Sequence, residues 1–174
     1  MGMIQRSSNW ENLTTVKKGN IGERIVQEFI ESKGFVVYSA ITEKAHAFDF
    51  LAIKDKKIVI AAEVKTKSLM NKYKATGFDV RNWKYYLEFS QSHNIPIFVF
   101  FVDEQRKEIY GNWLSTLEQI REQDGVKYPF NLKTQKAEIR LYPFSAMKKI
   151  VDIDVETADK LKTLSQRNYE YRGN

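Results

Sequence analysis

Phe48-Asp49-Phe50-Leu51-Ala52-Ile53, then Lys54-Asp55-Lys56-Lys57, then Ile58-Val59-Ile60-Ala61-Ala62-Glu63-Val64-Lys65 is the stretch that decides how the rest of the chain is read. Two apolar runs of strand length flank a charged turn, the pattern of an antiparallel hairpin. Side chains alternate across a strand, so Glu63 and Lys65 share one face and Val64 takes the other. Asp49 opens the first strand at the same end of the hairpin where Glu63 and Lys65 close the second, which lets them meet in space. A run as apolar as Ile58 to Val64 is expected to be buried on both faces. A carboxylate and an ammonium at its end are costly there unless they are paired or bind a ligand. Two carboxylates beside a lysine make a hard, oxygen-rich site suited to Mg2+ or Mn2+. Singly, each residue has a plainer reading: a Glu63–Lys65 pair at a sheet end, and Asp49 as a strand-start residue. The three together favour the site.

Composition narrows the surroundings. A chain of 174 residues fits one domain with a sizeable core, and 43% hydrophobic with 29% charged residues is ordinary for a globular protein. No apolar run is long enough to span a bilayer, and the N-terminus lacks a signal-peptide core, so a cytoplasmic, intracellular protein with no membrane partner is expected. Cys is absent, which excludes disulfides and thiolate metal sites, and two His leave little from which to build a zinc centre. The net charge of +6 suits a polyanionic partner only weakly. Its distribution says more: Lys65 to Gly77 holds four Lys and no acidic residue, directly after the candidate site.

Outward from the hairpin, residues 1 to about 13 are polar and without period, read as a loosely held arm. Ile21, Ile25, Val26, Phe29 and Ile30 then fall on one helical arc that Gly34 terminates, with Thr14, Thr15 or Asn20 as alternative N-caps. Glu23 lies on the flank of that arc and can look toward a sheet edge; its plainer reading is a first-turn Glu favoured by the helix dipole. Gly19 and Gly22 fit no phosphate-loop spacing, and are read as allowing backbone or DNA to come close. Phe35 to Tyr38 reads as a short strand, and Ser39 to Ala47 as a polar loop whose His46 stands three residues before Asp49.

After Lys65 a long connection leads to Asp79, the expected N-cap of a helix through about His93. Val80, Trp83 and Leu87 face inward; Arg81, Lys84 and Tyr85 occupy the other side, as solvated surface or as part of a phosphate track. Ile95 to Val102 is apolar on both faces and hence central, and the helix before it suggests a crossover to a parallel position. Glu108 to Gly111 is expected as an edge strand, Asn112 to Glu122 as a short helix, and Gln123 to Lys136 mostly as loop. Ala137 to Tyr142 alternates as a strand, Val155 to Leu164 is a helical stretch, and Gln166 to Asn174 is a polar tail expected to be disordered.

The order helix, strand, strand, strand, helix, strand, with acids at Glu23, Asp49 and Glu63 and a lysine two residues after the last, resembles the PD-(D/E)XK (restriction-endonuclease-like) nuclease superfamily. It is most similar to the branch of archaeal Holliday-junction-resolvase-type nucleases. The matching stretches are Lys18-Gly19-Asn20-Ile21-Gly22-Glu23-Arg24, Phe48-Asp49-Phe50-Leu51-Ala52 and Ala62-Glu63-Val64-Lys65-Thr66. One departure is Phe48, where the family's proline would stand; that proline is not a ligand. The resemblance implies an α/β fold with an αβββαβ core over about residues 17–112 and a central mixed sheet flanked by helices. A C-terminal α/β extension over about 113–165 and a tail at 166–174 would complete a single nuclease-like domain.

The resemblance further implies a Mg2+-dependent (or Mn2+-dependent) DNA endonuclease in recombination, repair or restriction, with no organic cofactor. Junction cleavage would require a homodimer with paired sites. Asp49, Glu63 and the backbone carbonyl of Val64 would hold the metal, with Glu23 reaching it through water or helping to hold a second ion. Lys65 would position the attacking water and offset charge on the phosphate, since an amine of pKa ~10.4 is no base at neutral pH. Lys17, Lys18, Asn20, Lys67, Lys72, Lys74, Arg81, Lys84 and Tyr85 would contact the nucleic acid. Arg81, followed by Tyr85, would stand where many relatives carry a glutamine or lysine on the helix after the ExK strand. The alternatives are a catalytically silent nucleic-acid-binding domain on the same scaffold, or a protein-interaction module in which the acid–lysine cluster is structural.

Overall fold

A computed structural model describes residues 13–39, 48–56 and 58–170. The expected N-terminal arm and the loop with His46 lie outside the described residues. Helix α1 (Thr14–Ser32) leads into strands β1 (Val36–Ser39), β2 (Phe50–Lys54), β3 (Ile58–Thr66) and β4 (Ala75–Asp79), then helix α2 (Val80–His93). Strands β5 (Ile97–Asp103) and β6 (Glu108–Trp113), a one-turn helix α3 (Leu114–Leu117), and strands β7 (Arg121–Gln123), β8 (Val126–Tyr128), β9 (Phe130–Lys133) and β10 (Glu138–Pro143) follow. A 3-10 turn (Phe144–Ala146), strand β11 (Lys148–Asp152) and helix α4 (Val155–Glu170) complete the order.

The main sheet has the strand order β1-β2-β3-β5-β6-β11. The hairpin pairs antiparallel from Phe50↔Ala62 to Lys54↔Ile58, so the alternation read from the sequence sets its register. Strands β3 and β5 run parallel from Ala61↔Ile97 to Thr66↔Val102, joined through the α2 crossover. Every residue of β5 except Phe98 is buried, as expected of a strand covered on both faces. Helices α1 and α4 cover one face through Val26, Ile30, Ala158 and Leu161, which pack with Ala62, Val64 and Val102. Helices α2 and α3 cover the other, where Tyr86, Leu114 and Leu117 pack with Ala61, Val99 and Phe101. Burying one such side chain contributes about 1.5–3 kcal/mol.

Two close approaches shape the region around the hairpin end. A Cβ on Gly22 of α1 would collide with the Thr66 hydroxyl at the end of β3, so glycine lets the helix lie directly on that strand end. Its expected role in close approach is therefore met by protein. A Cβ on Gly77 would collide with the Arg140 backbone, where β4 pairs with β10.

Several expected elements differ. Helix α1 begins at Thr14 with Leu13 as N-cap and no side-chain capping bond, so none of Thr14, Thr15 or Asn20 caps it. The connection after Lys65 contains β4, which joins a second, three-stranded sheet, β4-β10-β9. Strand β6 is not an edge, because β11 pairs along its outer side. The helix expected over 112–122 is confined to α3, with β7 taking its last two residues and Gln123, and the loop expected over 123–136 carries β8 and β9. Residues 166–170 of the expected tail continue α4. These short strands lack an apolar period of their own and are held by β10 and by the β7–β8 pairing.

Candidate active site

The end of the hairpin is built by three segments. Asp49 N–H donates to the Ala62 carbonyl at 3.1 Å, extending the β2 ladder one residue past the strand. Its Oδ2 then turns back and accepts from Val64 N–H at 2.7 Å. Backbone N–H and C=O of one strand residue point the same way, so the Val64 carbonyl also faces the side that Asp49 occupies. Phe48, where a proline would stand in the resembling family, packs its ring on Phe89 of α2 at 4.6 Å and anchors the segment carrying Asp49.

Glu63 is 3% exposed. Its carboxylate accepts from the Lys65 ammonium and from the Tyr86 hydroxyl on α2, which is itself bonded to Asn82. The Glu63 carboxyl is raised to about 7: burial raises it most, Lys65 pulls the other way and Asp49 adds to the rise. Burial works against the Lys65 ammonium, yet Glu63, Asp49 and Glu23 more than offset it and hold its pKa above the ordinary value. Lys65 keeps 23% of its side chain exposed, so the residue is sunken but not fully buried. Glu23, placed by the close approach of α1 at Gly22, has its carboxyl raised by burial and then by Asp49, with Lys65 acting the other way. Four groups from three segments thus act on one another: Glu23 of α1, Asp49 before β2, and Glu63 and Lys65 of β3, the set that the sequence reading singles out.

Among the described residues no three Asp, Glu or His side chains stand close enough to hold a metal ion as they are. Glu63 is taken by Lys65 and Tyr86, and Asp49 by Val64 N–H. The donor set nonetheless fits a hard cation: two carboxylates and a carbonyl converge, carboxylate outnumbers ammonium, and the Glu63 carboxyl is raised first by burial and also by Asp49, both of which a bound cation would offset. Binding would require Lys65 to release Glu63.

The candidate nucleic-acid contacts divide. Lys17, Asn20, Lys72, Lys74, Arg81, Lys84 and Tyr85 are exposed. Among them Lys72 lies over the Tyr73 ring at 5.2 Å, Lys74 reaches Asp124 at 3.6 Å, and Arg81 folds back on Asp79 at 3.1 Å. Lys18 is sunken and paired with Glu104 at 2.6 Å. Lys67 is half-buried and donates to the Gly77 carbonyl at 2.6 Å. On α2 the residues that turn to the site are Asn82 and Tyr86, one position out of phase with Arg81 and Tyr85. The sequence carried a signal for them: i and i+4 on a helix share a face.

The described elements run α1, then β1, β2 and β3, then β4, α2 and a β5 parallel to β3, a mixed α/β fold in the αβββαβ order expected from the sequence with β4 inserted before α2. No family model matches the chain, and no curated protein matches it. Among solved structures it is similar to the Holliday junction resolvase Hjc of the archaeal hyperthermophile Archaeoglobus fulgidus. That likeness has 11% identity and a TM-score of 0.47, over 71% of this chain and 88% of the other. It is also similar to a nuclease from a fusellovirus, with 13% identity and a TM-score of 0.48, over 91% of this chain and 97% of the other. No helix among the described residues is long and apolar enough to cross a membrane.

Proposed function

We propose that this chain is a Mg2+-dependent (or Mn2+-dependent) DNA endonuclease that hydrolyses phosphodiester bonds, with branched or junction DNA among its candidate substrates. The observation that carries the reading is the surplus of carboxylate at the hairpin end: Glu23, Asp49 and Glu63 act on a single ammonium, Lys65. Asp49, Glu63 and the Val64 carbonyl would hold the cation, with Glu23 at its margin. Once bound, it would polarise the scissile phosphate and acidify a water. Lys65, released from Glu63, would swing its ammonium to the phosphate and offset the charge that builds there. Tyr86 would keep Glu63 in place while Lys65 moves. The exposed cations Lys17, Lys72, Lys74, Arg81 and Lys84 would position the backbone without reading sequence.

A second reading, DNA binding without cleavage, draws on the closed Glu63–Lys65 pair. Labelled junctions, flaps, nicked and linear duplexes incubated with Mg2+ or Mn2+ separate the two. The nuclease reading expects cleavage of at least one substrate, lost in Glu63→Ala and Lys65→Ala with binding kept. Salt-sensitive binding with no metal-dependent cleavage would establish the second reading.

A further inference from the structure

Of three lysines, Lys67 lies within electrostatic reach of Lys65 and of Lys18, and the latter two each have a carboxylate. Lys18 has Glu104 and Lys65 has Glu63. Lys67 has none within ion-pair distance among the described residues, although it is half-buried. An ammonium carries three N–H donors; one goes to the Gly77 carbonyl, and no other described protein atom accepts from it. A backbone carbonyl fixes the direction of the group without cancelling its charge. Asp79, the acid that acts on Lys67 from a distance, is committed to Arg81 through three hydrogen bonds. Burial, then Lys65, draw the Lys67 ammonium down to about 8, with Lys18 adding to the repulsion. The chain makes a tight turn here, Lys67 N–H donating to the Lys65 carbonyl at 3.2 Å, which keeps the two lysines together.

A partly desolvated cation among like charges, tethered by a dipole and lacking a counter-ion, is costly to fold and is relieved by an anion. We propose that Lys67, framed by the Gly77 carbonyl, is the subsite for a second backbone phosphate, the neighbour of the scissile phosphate on the cut strand. The assignment of Lys65 to the scissile phosphate, and so the word neighbour, rests on the nuclease reading. The phosphate subsite itself rests on the unpaired ammonium. Its competitor is purely structural: Lys67 as a tie that holds β4 against the end of β3.

The experiment is a coupling scan with the full chain. The DNA that wild-type protein binds most tightly is made with single neutral methylphosphonate linkages walked along one strand, and dissociation constants are measured with Ca2+ in place of Mg2+. Lys67→Met is expected to weaken binding of unmodified DNA about tenfold and to reduce the slope of log K against log salt by about one. Lys67→Gln, which can still donate to Gly77, should do the same if Lys67→Met does not fold. One linkage should weaken wild type equally and weaken the variant no further, and in Mg2+ it should lie next to the cut. Losses that multiply at every linkage, a lowered Tm with unchanged DNA affinity, a coupled linkage several nucleotides from the cut, or no DNA binding at all would overturn the subsite. Coupling at one linkage without Mg2+-dependent cleavage would instead sink the nuclease reading and leave a phosphate subsite in a DNA-binding protein.

Discussion

Two clusters in this molecule are assembled from the same kinds of side chain, a glutamate, a cation and a tyrosine hydroxyl, and they reach opposite electrostatic outcomes. At the C-terminal end of α3, Glu118 accepts from two residues of β10 in the second sheet: from Arg140 Nε at 2.9 and 3.2 Å and Nη2 at 2.5 Å, and from the Tyr142 hydroxyl at 2.7 Å. The guanidinium spends another donor on Asn131 at 3.0 Å and lies over the Trp83 ring at 4.2 Å. Charges balance one to one, and the planar fork matches the carboxylate. At the hairpin end, Glu63, Lys65 and Tyr86 are joined by Asp49 and Glu23, so three carboxylates confront one ammonium. A cluster that only holds a fold together is closed. The hairpin end carries a surplus of one charge, with Lys67 beside it lacking an ion-pair partner among the described residues, and on the nuclease reading a cation and a phosphate would complete it.

The largest effects should come from removing the cation of each cluster. Lys65→Met is expected to reduce single-turnover cleavage by roughly 10²–10³-fold while changing stability by under ~1 kcal/mol, because Glu63 can take up a proton in its place. Arg140→Met should do the reverse. It strands Glu118 and Tyr142 and should cost about 2–3 kcal/mol in urea titrations, toward the low side for buried pairs, since 16% and 20% of the two side chains remain exposed. Its cleavage rate per folded molecule should stay within a few-fold of wild type. An Arg140→Met chain that is stable and inactive would break the comparison.

Next in size is the pH dependence of the metal-free protein. The Glu63 carboxyl is raised to about 7 from 4.5, so between those values the folded chain holds more protons than the unfolded one. Its contribution is therefore present at the acid end and lost as pH rises through about 7. The urea midpoint should fall between pH 5 and 7.5, by up to ~3 kcal/mol of stability. Glu63→Gln should flatten most of that slope. Mg2+ should shrink it in wild type, since the ionised carboxylate is the form that binds; at ten to thirty times its dissociation constant the ion adds about 1.4–2 kcal/mol. A slope that persists in Glu63→Gln would remove the charge surplus from that residue.

The contrast also marks what could be read from the chain alone. The hairpin, β5 and the inward side of α2 follow from local periodicity, so Asp49, Glu63 and Lys65 were legible as a convergent set. Strands β4, β7, β8 and β9 were not, because they are short or glycine-bearing and form only where β10 or a hairpin partner supplies the ladder. The closed cluster of Glu118, Arg140 and Tyr142 depends on that second sheet and left no pattern in the sequence. Tyr86 stood between: its i, i+4 relation to Asn82 was visible, but only the packing of α2 on Ala61 and Ile97 turns it toward Glu63.

Tyr86 gives the smallest and most discriminating test, because Tyr142 is its counterpart in the closed cluster. Burial, then Glu63, raise the Tyr86 phenol well above its ordinary value, so it remains a donor across the working pH range. In Tyr86→Phe the Glu63 carboxylate loses one fixed partner, and with it the orientation that lets it stay put when Lys65 lets go. Loss of such an outer hydrogen bond costs roughly tenfold or more in metal affinity. The Mg2+ concentration for half-maximal cleavage should therefore rise about 5–10-fold, with the rate at saturating Mg2+ within about threefold of wild type. Tyr142→Phe removes the same kind of bond, from Glu118, and should cost about 1 kcal/mol of stability with no change in metal requirement. Were both substitutions to lower stability alike and leave the Mg2+ titration unmoved, Tyr86 would be one more packing residue, and the hairpin end would differ from the closed cluster in charge only.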